Sequence, residues 1–71
     1  MKYLKINNFE DALVYLENNK EEISNKFAKK DTLVMDVMRW CGHLLQENEN
    51  EFYQKKFMKA INTYIMEGGG K

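Results

Sequence analysis

Between Met1 and Glu67 the chain carries no proline and a single glycine, Gly42, so little interrupts helix over almost the whole length. With 31% charged and 44% apolar residues distributed along the same stretch, helix is the default for every segment. At 71 residues only one small domain is expected. A core of that size supplies only ~3 to 5 kcal/mol, so well-packed helices, a partner chain or both must complete the fold. Cys41 is the lone cysteine and no intrachain disulfide can contribute.

Asn8 stands where an N-cap belongs, with Glu10 and Asp11 in the next turn, where carboxylates suit the positive helix end. Phe9, Leu13, Leu16, Lys20, Ile23 and Phe27 then recur at spacings of 4, 3, 4, 3 and 4, a heptad seam that predicts a first helix over 9–29. Asn18-Asn19 lies beside Lys20, the polar member of that seam, and a break there into two short helices is the alternative. The preceding arm, 1–7, brings Tyr3, Leu4 and Ile6, which can cover the core or dock on a second chain.

Asp31 caps a second predicted helix, 32–47, whose Leu33, Val34, Val37, Met38, Trp40, Cys41, Leu44 and Leu45 span an arc of about 160°. That arc exceeds the stripe needed against one neighbour and marks this helix as the spine of the fold. The polar run Glu47-Asn48-Glu49-Asn50-Glu51 makes the next turn, with Asn48 or Asn50 as cap. A third helix over 51–67 places Tyr53, Phe57, Ala60, Ile61 and Tyr64 on one face and Lys55, Lys56 and Lys59 on the other. Gly68 is the expected left-handed stop, and 68–71 the expected loose tail. The sequence therefore predicts an all-α fold, a small antiparallel three-helix bundle or four short helices, behind a short extended arm.

Several function classes have no residues to carry them. Cys41 and His43 sit two apart, pointing about 160° away from each other on a helix, so they cannot pair as nucleophile and base. With one His, one Cys and no CxxC, a metal site lacks ligands, and the clustered glycines are all C-terminal, so no phosphate-cradling loop exists. Neither enzyme activity nor a cofactor is expected. The first six residues lack the ~7 to 15 apolar positions of a signal peptide, and no run approaches the ~18 that span a bilayer. A cytoplasmic location, with no membrane partner, is the expectation. Ten Lys to one Arg, with eight Asn, is the usage associated with an AT-rich genome such as that of a low-GC bacterium or its phage.

Lysines and acids balance overall, yet residues 1–30 carry +1, 31–51 carry −4 and 52–71 carry +3. Lys55, Lys56 and Lys59 could thus face phosphate, but three lysines release few counterions, no Arg for base readout lies on their helix, and Glu51 can pair with Lys55. Weak nucleic-acid binding is the alternative rather than the leading expectation. Protein binding leads: Trp40 lies at the edge of the wide apolar stripe, with Asp36, Arg39 and His43 on the adjoining polar side and Met35 beyond the other edge. Trp40 can equally plug the end of the core, and Glu47 four residues on can pair with His43. The expected protein is an adaptor, inhibitor or regulator of a larger one, and the surplus apolar width also favours a homodimer, or a structural homo-oligomer as a third reading.

Overall fold

The computed structural model describes residues 6–69, an all-α protein of four helices with no strand among the described residues. Helix α1 runs Phe9–Asn18, α2 Lys20–Ala28, α3 Thr32–Gln46 and α4 Glu51–Tyr64, and the chain continues as a π-helical turn, Ile65–Gly69. Three of the helix starts are set by short polar side chains, as the sequence suggests. Asn8 Oδ1 accepts from the Asp11 amide at 2.8 Å, Asp31 Oδ1 from Leu33 and Val34 at 2.9 and 3.2 Å, and Asn50 Oδ1 from Tyr53 at 3.1 Å. Each satisfies an amide that has no partner within its own helix.

The single first helix over 9–29 is replaced by its alternative. Asn19 leaves helical geometry (φ −117°, ψ 22°), and both its backbone N–H and its side-chain Nδ2 donate to the Tyr15 carbonyl, at 3.0 and 2.9 Å. A side chain that competes for a helical carbonyl in this way ends the helix. The heptad seam is not buried as one continuous stripe. Ala12 and Ile23 are buried, with Phe9, Tyr15 and Leu16 half-buried beside them, whereas Leu13 and Phe27 face outward at 42% and 47% exposure.

Between α2 and α3 the chain reverses through Lys30, whose φ of 63° is the left-handed conformation usually left to glycine. Its amide donates to the Phe27 carbonyl and that of Asp31 to Lys26, both at 3.0 Å, the paired bonds of a Schellman ending. Gly68, by contrast, is no left-handed stop: it lies within the π-helical turn, and no described glycine has positive φ.

The centre of the molecule lies on α4 as much as on α3. These two helices share the most extensive contact, and α4 also packs on α1. Phe57, Ala60, Ile61 and Tyr64 of α4 and Ile65 after it meet Val34, Val37 and Leu44 of α3 in one buried cluster. The wide stripe of α3 is only partly used: Leu45 is 84% exposed. Ile6 closes the far side of α4, where the Asn62 side-chain amide binds it reciprocally, Oδ1 accepting from the Ile6 N–H at 2.8 Å and Nδ2 donating to its carbonyl at 3.0 Å. Ile6 thus covers the core, while Tyr3 and Leu4 lie outside the described residues, as do Gly70 and Lys71 of the expected tail.

Gly42 sits inside α3 with nothing within 4 Å of where a Cβ would stand. Gly42→Ala is therefore expected to stabilise the protein by about 0.5 to 1 kcal/mol, by relieving the entropic cost of glycine in a helix. Urea unfolding checks this, and a loss of stability would contradict the open space at that position.

Candidate functional site

Five of the eight residues that the sequence divides between two rival sites are brought together in one place. α3 and α4 run antiparallel, and between them lies a solvent-open groove of about 270 Å³. Leu33, Asp36, Arg39 and Trp40 form one wall, and Lys56, Lys59, Ala60 and Thr63 the other. The second set is spaced i, i+3, i+4, i+7, a single face of α4, and Leu33, Asp36 and Trp40 are similarly aligned on α3. Asp36, Arg39 and Trp40 thus meet Lys56 and Lys59, whereas Met35, at 45% exposure, and Lys55 point elsewhere. Leu33, Ala60 and Thr63 are the members that reading each helix separately missed. Pairing the two helical faces across the antiparallel turn is the signal that finds them.

Trp40 lies at the boundary between the core and the groove. It is half-buried and packs against the core, yet it also lines the groove. Its ring is held by an aromatic cluster, 6.1 Å edge-on from Phe52, 6.0 Å from Tyr53 and 5.3 Å from His43, centroid to centroid. His43 in turn stacks on Tyr53 at 4.9 Å and 21°. The expected pairing of His43 with Glu47 is not formed: Glu47 Oε1 instead accepts from Asn50 Nδ2 at 3.0 Å, within the turn that leads into α4. Phe52 stands 58% exposed at the edge of this cluster, with Lys56 Nζ 5.5 Å from its ring centroid.

Among the described residues, no charged side chain of the groove is in an ion pair. Among the described residues the ion pairs within 4.0 Å are Glu17–Lys20 at 3.5 Å and Glu22–Lys26 at 3.6 Å, and both lie on α1 and α2. Glu51 and Lys55, expected to neutralise each other, are not among them.

A second groove, of about 400 Å³ and more apolar, runs along α1 and α3 past Phe9, Leu13, Cys41, Leu44, Leu45 and Phe57. Burial pushes the Cys41 thiol above its ordinary pKa, which keeps it protonated and a weak nucleophile. No group of three His, Cys, Asp or Glu among the described residues could hold a metal ion, and no described helix is long and apolar enough to cross a membrane. Comparison of the chain with protein-family models, with curated proteins and with solved structures found no match.

Proposed function

We propose that the protein is a small protein-binding module, an adaptor, inhibitor or regulator, which docks a segment of its partner in the α3–α4 groove with Trp40 as the anchor. The observation that carries this reading is the position of Trp40: one part of the indole is packed on the core and against Phe52, Tyr53 and His43, and the other faces the groove. An aromatic side chain already immobilised by its neighbours loses little entropy on binding and offers a large area to bury. Phe52 continues the apolar surface beyond the groove, and charged side chains ring it, the arrangement of an anchor inside a polar rim.

Trp40→Ala tests the reading through two readouts. Capture of a partner from a lysate of the source cells should fall at least about tenfold, the loss typical of a hot-spot aromatic. Stability should fall by only about 1 to 2 kcal/mol, less than for a fully buried aromatic. Unchanged capture, or a thermal melt that collapses altogether, would remove Trp40 as a docking residue.

A homodimer is the second reading, favoured by the exposed Leu13 and Leu45 along the α1–α3 groove. Sedimentation across a wide concentration range tests it: a mass that stays at 8.5 kDa up to about millimolar protein removes it.

A further inference from the structure

Three cations, Arg39, Lys56 and Lys59, line the α3–α4 groove against one carboxylate, Asp36, in a molecule with no net charge. Among the described residues none of the three lies within 4.0 Å of a carboxylate. Three cations against one carboxylate leave the groove with an excess of positive charge beside an indole and the apolar side chains of Leu33 and Ala60, which complements an occupant that is both acidic and partly apolar. We propose that the groove receives an acidic segment of another protein, with two carboxylates about one helical turn apart meeting Lys56 and Lys59, and an apolar side chain seated against Trp40. Lys56 and Lys59 are themselves one turn apart on α4, so a helical partner with Asp or Glu at i and i+3 or i+4 matches their spacing. This assignment rests on the docking reading and adds the chemistry of the occupant.

Two features favour a protein over a nucleic acid. Asp36 stands inside the groove, where it opposes a phosphate backbone but can accept a hydrogen bond from a partner amide or ammonium. Beyond Trp40 the two helices lead into the connecting turn, with Glu47, Glu49 and Glu51. A polyanion tracking along the groove would leave three cations for three carboxylates, whereas a short acidic segment can end before them.

The test is an NMR titration of the isotope-labelled protein at ~50 mM salt, where screening is weak. The probes are amphipathic peptides with identical Leu positions whose polar face is all Glu, all Gln or all Lys, together with an oligothymidylate. The Glu peptide should shift the Trp40 indole N–H and the amides of Lys56 and Lys59 saturably. Its affinity should fall about tenfold at ~300 mM salt, and about tenfold in the double variant Lys56→Glu, Lys59→Glu. Arg39→Gln, at an exposed position, is a second variant should the double one lose helicity, and it should weaken the Glu peptide as well. If the Gln or Lys peptide binds as well at the same residues, the acidic assignment is overturned and the docking groove stands. Tighter binding of oligothymidylate than of the Glu peptide overturns both in favour of nucleic acid. If no probe shifts these residues at up to about 5 mM, the acidic assignment is overturned, and the docking reading is then decided by capture with Trp40→Ala.

Discussion

Phe57→Ala is expected to remove a third or more of the folding stability. Phe57 is fully buried, its ring stands edge-on to Phe9 at 5.9 Å and 75°, and it belongs to the cluster in which α4 meets α3. Truncating a buried Phe costs about 3 to 5 kcal/mol through lost transfer energy and the cavity left behind. A domain of this length has about 4 to 10 kcal/mol in all. The urea midpoint followed by far-ultraviolet circular dichroism should drop by about 1.5 M or more, for a slope of ~1 to 2 kcal/mol per molar. A shift below about 0.5 M would show that α4 is not the centre of the core.

Alkaline pH is expected to destabilise the protein chiefly through Tyr64, and Tyr64→Phe should make the decline shallower, leaving the smaller part that Tyr15 contributes. The Tyr64 ring is fully buried, and its hydroxyl donates to Glu22 Oε2 at 2.6 Å, tying α4 to α2. Burial, and then the hydrogen bond to the Glu22 carboxylate, push the phenol well above its ordinary pKa of about 10. Tyr15, edge-on to Tyr64 at 6.4 Å, is raised by its own burial and by the same carboxylate. The folded protein therefore holds the phenolic proton more tightly than the unfolded chain does. The stabilisation is complete below pH 10 and is lost as pH rises from there towards the folded value, at about 1.4 kcal/mol per pH unit for one group. At neutral pH Tyr64→Phe should cost about 1.5 to 3 kcal/mol for a hydrogen bond to a charged acceptor. Urea midpoints for both proteins between pH 8 and 12 should converge as the wild type declines. Parallel curves would contradict the assignment.

The features legible in the sequence were those that short-range chemistry decides. Asn8, Asp31 and Asn50 were legible as caps because a short side chain reaches its amide only a few residues along the chain. The face of α4 was legible for a similar reason: Phe57, Ala60, Ile61 and Tyr64 share one helix with no internal break. Across Asn18-Asn19 two signals competed, a seam that continues and a pair of weak helix formers that interrupt. The interruption wins at Asn19, whose amide binds the Tyr15 carbonyl, and Leu13 and Phe27 of the seam are exposed. The groove was beyond reach for a different reason. Trp40 and Lys56 lie on different helices, so their meeting depends on how α3 and α4 pack, which the periodicity of neither helix encodes. The same residues therefore suggested two unrelated sites, a protein-binding edge and a lysine stripe. The i,i+4 spacing pairs His43 with Glu47, yet its ring finds more to pack against on Tyr53 and Trp40.

Site-specific photo-crosslinking distinguishes the two grooves most directly. A photoreactive phenylalanine analogue replacing Phe52, 58% exposed beside the α3–α4 groove, and in a second protein replacing Leu45, 84% exposed on the α1–α3 groove, should leave the fold intact. If Trp40 anchors the partner, the analogue at position 52 captures it, the Trp40→Ala background abolishes the adduct, and position 45 yields none. Capture from position 45 alone, insensitive to Trp40→Ala, would place the docking surface on the opposite groove and contradict the function proposed for α3 and α4.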